Sequence, residues 1–237
     1  MDLGIAGKAA LVTAASKGLG FGTAKALAAE GCRLAINGRN PDRLADAAGR
    51  LGPGAVALPG DVTDPATPER LVAATIEAFG SVDIVVANAP GPPRAHALEV
   101  DDHILLAAVE ANLLASIRLV RAALPSMRAS GWGRIVLLAS NTIKQPIPDL
   151  AASTAARAGL WGWAKSAAID LIDDGITLNV LAPGLHDTDR VRELGHTGRL
   201  GDPDDFGRVA AFLCSVPAGY VSGTALQVDA AATLGLL

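Results

Sequence analysis

Short apolar runs alternate with longer Ala-rich segments along the whole chain. The runs are Ala9–Thr13, Arg33–Asn37, Ala55–Leu58, Asp83–Ala87, Arg134–Ala139, Ile176–Leu181 and Ala225–Val228. They are continuous rather than alternating in polarity, the pattern of strands covered on both faces. The intervening segments predict helices over Leu19–Glu30, Pro41–Leu51, Thr67–Phe79, Asp101–Ser130, Ser153–Asp173 and Asp204–Ser215. Gly31, Gly52, Gly80, Gly131 and Gly175 lie just beyond five of these, where a left-handed C-cap is wanted. Strand–helix alternation of this kind predicts an α/β, doubly wound parallel sheet of about seven strands flanked by helices. No Pro/Ser-rich linker and no repeat divides the chain, so residues 1–237 are read as a single domain.

Composition narrows the function. Of 237 residues, 50% are hydrophobic and 19% charged, which excludes a disordered chain. The net charge is −4 with no basic cluster, so no nucleic-acid partner is expected. No apolar run reaches the roughly 18 residues of a membrane span, and Met1-Asp2-Leu3 opens no signal peptide. Cys32 and Cys214 read as small buried hydrophobes, which suits a cytoplasmic protein. No metal site is read from the sequence. The 47 Ala and 26 Gly permit close approach between helices and strands and spread burial over many small side chains.

The first run leads into Ala14-Ala15-Ser16-Lys17-Gly18-Leu19-Gly20 and then a helix. Glycines at such a turn let the backbone approach a phosphate, and the helix N-terminus offers free N–H groups to it. At the end of the second run stands Gly38-Arg39, where a site for NAD usually carries a carboxylate for the ribose. A neutral Gly removes repulsion of a 2′-phosphate, and the Arg39 and Lys17 cations suit it. NADP(H) is therefore expected over NAD(H).

From Thr13 through Gly20 the chain resembles the phosphate loop of the short-chain dehydrogenase/reductases, single-domain Rossmann enzymes, with Ala14 where the family has its first glycine. The resemblance runs on in order: Asp61-Val62, Asn88-Ala89-Pro90-Gly91, Asn112, Gly133-Arg134-Ile135-Val136 leading to Ser140, Pro183-Gly184 with Thr188, and Gly219-Tyr220-Val221-Ser222-Gly223 with Val228-Asp229. It implies that Thr13, Ser16, Lys17, Gly18, Leu19, Gly20, Arg39, Asp61, Val62, Asn88, Ala89, Pro183, Gly184 and Thr188 hold the cofactor. It further implies packing as a homodimer or homotetramer, and a small carbonyl or alcohol as substrate.

The family's catalytic set is Asn, Ser, Tyr and Lys. Asn112 and Ser140 are in place, but thirteen residues past Ser140 stands Ser153, and four further stands Arg157. These are Ser and Arg where the resemblance calls for Tyr and Lys. A phenol has a pKa of about 10, which a nearby ammonium can lower, and an aliphatic hydroxyl cannot follow it. Arg157 stays protonated and can donate hydrogen bonds to the cofactor ribose, but it relays no proton. Lys144, in the loop after Ser140, and His186 are the candidate proton donors; an ordered water or the substrate itself is the alternative. His96 and His103 are read as without chemistry. Three functions stay open. The first is an NADP(H)-dependent oxidoreductase with an atypical proton donor. The second is a non-redox dehydratase, isomerase or cyclase on the same fold, and the third a nucleotide-binding pseudoenzyme. The stretch from Asp189 to Leu200 is short for a substrate lid, and its Arg190, Arg192 and Arg199 could meet an anionic substrate. Trp161 and Trp163 are expected to divide between the core and a subunit contact.

Overall fold

The computed structural model describes residues 1–196 and 198–235. Seven parallel strands form one sheet: β1 (Ala9–Val12), β2 (Arg33–Gly38), β3 (Val56–Pro59), β4 (Ile84–Ala87), β5 (Gly133–Leu138), β6 (Ile176–Pro183) and β7 (Ala225–Val228). Their spatial order is β3-β2-β1-β4-β5-β6-β7. The chain reverses direction across the sheet between β1 and β4, and the crevice beyond the strand ends at such a switch point is where ligands bind.

Strand side chains alternate between two cores. Leu11, Val85, Ala87, Ile135 and Leu137 point to one face. There they meet α3 (Thr67–Phe79), α5 (Ala115–Ser130) and α6 (Ala151–Leu171) through Leu71, Val72, Leu119, Val120, Met127 and Leu160. Ala10, Val12, Ile84, Val86, Val136 and Leu138 point to the other. That face is covered by α1 (Gly18–Ala29), α2 (Pro41–Leu51) and α8 (Pro203–Leu213), through Leu27, Leu44, Phe206 and Leu213. This two-sided burial explains the unbroken apolar runs. Trp161 and Trp163 both lie half-buried against the first core.

The segment expected as one helix over Asp101–Ser130 is α4 (Asp102–Val109), a π turn at Glu110–Leu114, and then α5. A π turn inserts an extra residue into a helix and often marks a functional position. Here it contains Asn112, whose Nδ2 donates to the Ala108 carbonyl at 3.2 Å. By length and composition Asp102–Ser130 could cross a membrane. Its apolar residues Ile117, Leu119, Val120 and Met127 are instead buried against the sheet, which makes it a core helix.

Two glycines set the closest helix crossing. A Cβ on Gly22 would lie 2.3 Å from the Pro203 carbonyl oxygen, and one on Gly207 2.2 Å from that of Gly22. Backbone therefore touches backbone where α1 meets α8.

Cys214 is buried and Cys32 partly buried. Burial, with smaller contributions from Glu30 and Asp83, pushes the Cys32 thiol up to about 12, and burial pushes Cys214 further up. The thiolate is the reactive form. A thiol reagent at pH 8 is therefore expected to find no reactive cysteine in the native protein and two in denaturant. Prompt labelling of either native thiol would contradict this.

Candidate active site

The phosphate loop is tied to the switch point by Asn88. Thr13 Oγ1 donates to the Asn88 carbonyl and accepts from the Asn88 N–H, both at 2.8 Å, and Asn88 Nδ2 donates to the Ala14 carbonyl at 3.3 Å. Ala14 sits at φ 47° and Gly18 at φ 59°, both left-handed. The strain of a Cβ at Ala14 is therefore retained where the family has a glycine. Gly20 is needed for close approach: a Cβ there would lie 2.5 Å from the Ala14 oxygen and 2.9 Å from Asn88 Nδ2. Lys17 is the N-cap of α1, and no side chain caps this helix end. Its first N–H groups therefore stay open to an anion. Thr188 lies against the same loop, with Cγ2 3.4 Å from where a Gly18 Cβ would be. This set of groups fits a dinucleotide.

Gly38 ends β2 and packs beside Ser16. Asp61 Oδ1 accepts from the Thr63 N–H at 3.0 Å and from its hydroxyl at 2.9 Å. Val62 is buried, and Leu19 and Ala89 are partly buried against the two cores. The two basic groups read as free cations already face carboxylates. Lys17 Nζ is 2.9 Å from Asp189 Oδ2, and Arg39 Nη1 is 3.9 Å from Asp61 Oδ2. The Lys17 ammonium holds the Asp189 carboxyl below its ordinary range.

The second half of the site forms where β5 meets α6. Ser140 Oγ accepts from the Thr142 N–H at 3.2 Å and caps a short 3-10 turn, Asn141–Ile143. Arg157 projects from α6 back to the strand end. Its Nε donates to Ser153 Oγ at 3.2 Å, and its Nη1 donates to the carbonyls of Leu138 at 2.9 Å and Ala139 at 2.7 Å. Arg157 thus joins Ser153 to the residue before Ser140. Burial, then the charge of Arg190, lowers its pKa to about 10, so it stays a cation at neutral pH. Asn112 Oδ1 is buried without a partner.

The two candidate proton donors each have a partner of their own. The Lys144 ammonium stands 4.1 Å over the Trp161 ring, and Trp161 is eight residues along α6 from Ser153. His186 is buried rather than solvated, its Nδ1 3.1 Å from the Gly184 carbonyl and its ring edge-on to Phe206 at 5.1 Å. Pro183 ends β6, and a Cβ on Gly184 would come within 2.8 Å of Asp229, so the backbone there is close-packed.

Among the described residues a short helix, α7 (Asp189–Glu193), is the regular structure of the lid. Arg190 reaches from it across the site, donating through Nη1 to the Gly91 carbonyl at 3.4 Å and through Nη2 to that of Pro92 at 3.1 Å. Arg192 instead pairs with Asp187 at 2.7 Å. Sequence reasoning missed a strap on the same loop. Arg94 binds Asp149 bidentately at 2.7 and 3.0 Å, and the Ala95 N–H donates to the Asp149 carbonyl at 2.9 Å. No local pattern could mark a pair 55 residues apart. Among the described residues no cluster of His, Cys, Asp or Glu could hold a metal ion.

A glycine-lined loop at the switch point of a seven-stranded parallel sheet, facing Ser140 and a buried basic residue on α6, defines a dinucleotide-binding Rossmann protein. Known proteins agree. A family model described as enoyl-(acyl carrier protein) reductase matches residues 13–233. The chain is 35% identical to 3-oxoacyl-[acyl-carrier-protein] reductase FabG of Escherichia coli, covering 94% of this chain and 96% of that one. It is 33% identical to the oxidoreductase asL5 of Sarocladium schorii over 95% of both. L-sorbose reductase of Gluconobacter frateurii, solved with NADPH and L-sorbose, superimposes with a TM-score of 0.91 at 30% identity, over 97% of each chain. The chain belongs to the short-chain dehydrogenase/reductase family and is an oxidoreductase of that type.

Proposed function

We propose that the protein is an NADP(H)-dependent reductase of a small carbonyl compound, working without a tyrosine proton donor. The uncapped amino end of α1, beside left-handed Gly18 and the Thr13–Asn88 latch, is the observation that carries this reading. Thr13, Ser16, Gly18, Leu19, Gly20, Asn88 and Ala89 form the floor for the pyrophosphate, Asp61 and Val62 the adenine side, and Pro183, Gly184 and Thr188 the nicotinamide side. Gly38, Arg39 and Lys17 favour a 2′-phosphate through charge and the absence of a ribose carboxylate. The NADPH named for L-sorbose reductase is consistent with that preference. When bound, the nicotinamide supplies the hydride.

The chain's own residues provide the rest. Ser140 offers a hydroxyl to the substrate oxygen, and Ser153 leaves the room a phenol would fill. A water in that space, held by Ser140 and Ser153, delivers the proton. Arg157 does not give up its own, since its pKa of about 10 keeps it charged at neutral pH. Lys144 on Trp161 is placed to shape the wall after Ser140 rather than to protonate substrate. Asn112 contributes an unpartnered oxygen beneath α6 that can hold a second water.

Titration with NADPH and NADH by ligand fluorescence tests the cofactor. NADPH is expected to bind more tightly, and Arg39→Ala to weaken NADPH about tenfold while leaving NADH within twofold. No binding of either nucleotide would overturn the reading.

A further inference from the structure

Arg157 is a buried cation with no counter-charge among the described residues. It is 7% exposed. Its Nε and Nη1 are engaged with a hydroxyl and two carbonyls, its Nη2 donates to no protein group, and no carboxylate pairs with it among the described residues. Most exposed arginines near acids behave differently: Arg39, Arg94, Arg118, Arg128, Arg192 and Arg208 each face a carboxylate. The other buried guanidinium, Arg134, stacks 4.4 Å over the Trp132 ring and donates to the Ser215, Gly133 and Gly175 carbonyls. Among the described residues Arg157 has no aromatic partner. The charged neighbour that acts on it is a second cation, Arg190, which lies over Gly91 and Pro92 and has no acidic partner among the described residues either.

A buried, unpaired cation beside a like charge is unfavourable unless an anion joins them. Arg157 sits on α6 beside Ser153 and the carbonyl before Ser140, and Arg190 sits on the lid just after Thr188, close enough for its charge to act on Arg157. Among the described residues Arg157 Nη2 and Arg190 Nε donate to no protein group, and a guanidinium N–H of this kind suits a carboxylate.

Resting on the reductase reading above, we propose that the substrate carries a carboxylate held between Arg157 and Arg190, with its carbonyl at Ser140. The class of substrate is then a small oxo acid and the product the corresponding hydroxy acid. Hydride goes to the carbonyl carbon, a proton from water to the oxygen, and NADPH leaves as NADP⁺.

The test uses the full chain with NADPH against oxo acids (glyoxylate, pyruvate, 2-oxobutyrate, acetoacetate) and the methyl ester of each. Binding is read by calorimetry with NADP⁺ present, and turnover by NADPH oxidation. Acids are expected to bind and react at least tenfold better than their esters. Arg190→Gln, at an exposed position where folding is safe, is expected to raise KM for the acid about tenfold, with KM for the ester and the NADPH affinity within twofold. Arg157→Lys keeps the charge and is expected to retain more acid preference than Arg157→Gln. Equal handling of acids and esters overturns the proposal. So does failure of every acid to bind, or a loss of NADPH affinity in Arg190→Gln, which would assign the pair to a cofactor phosphate. Absence of NADPH binding overturns the reductase reading instead. Calorimetry of the same acids on the nucleotide-free chain then decides the carboxylate site separately.

Discussion

Placing Ser153→Tyr and Arg157→Lys in one chain should raise NADPH-dependent reduction of simple neutral ketones by about 100-fold or more, the usual contribution of a positioned general acid. The argument is geometric. Ser153 lies one helical turn before Arg157, and the two already touch at 3.2 Å. A phenol at 153 and an ammonium at 157 would share that turn, so the cation lowers the phenol pKa where the substrate oxygen sits beside Ser140. Arg157 also loses its donors to the Leu138 and Ala139 carbonyls, which water can replace at this carboxyl end of β5. Steady-state assays on ketones lacking any acid group measure the gain. Unchanged turnover in a variant that still binds NADPH would show that the missing phenol is not what limits the site.

Stability should respond most at the α1–α8 crossing. Gly22→Ala and Gly207→Ala are each expected to cost about 3 kcal/mol, because the added methyl meets backbone and neither helix can move without disturbing the sheet below. For a chain of this size that corresponds to a fall in Tm of roughly 6 to 12 °C. Gly49→Ala, on α2 with nothing within 4 Å of the added Cβ, is the control and is expected to stabilise by about 0.5 kcal/mol or more. Urea melts of the three variants give the comparison. The Gly22 and Gly207 changes share one contact, so the double variant should lose less than the sum. Wild-type stability in either variant would mean that the helices are not so closely apposed.

The central strands were legible because they are buried on both faces, so unbroken apolar runs mark them, whereas β3 and β7 at the two edges are only partly buried. The phosphate loop and the Ser153/Arg157 replacement were legible because position relative to a strand, and spacing from Ser140, are properties of the linear chain. Partnerships were not. Lys17 and Arg39 read as free charges, and only the folded chain brings Asp189 and Asp61 to them. Nor could the sequence show that Lys144 stands over the Trp161 ring or that His186 is buried beside Phe206. The isolation of Arg157 is likewise a statement about what is not nearby, which no local pattern can express.

The π turn at Glu110–Leu114 bears on how such a chain can vary. Each helical residue advances the side chains by about 100°. The turn's extra residue therefore sets the angular relation between α4, which packs toward α6 through Ala108, and α5, which packs on the sheet. A lineage that lost one codon there could still form a continuous helix. It would have to rotate either the half that carries Asn112 toward α6 or the half that fills the core, so substitutions in this segment are permitted where deletions are not.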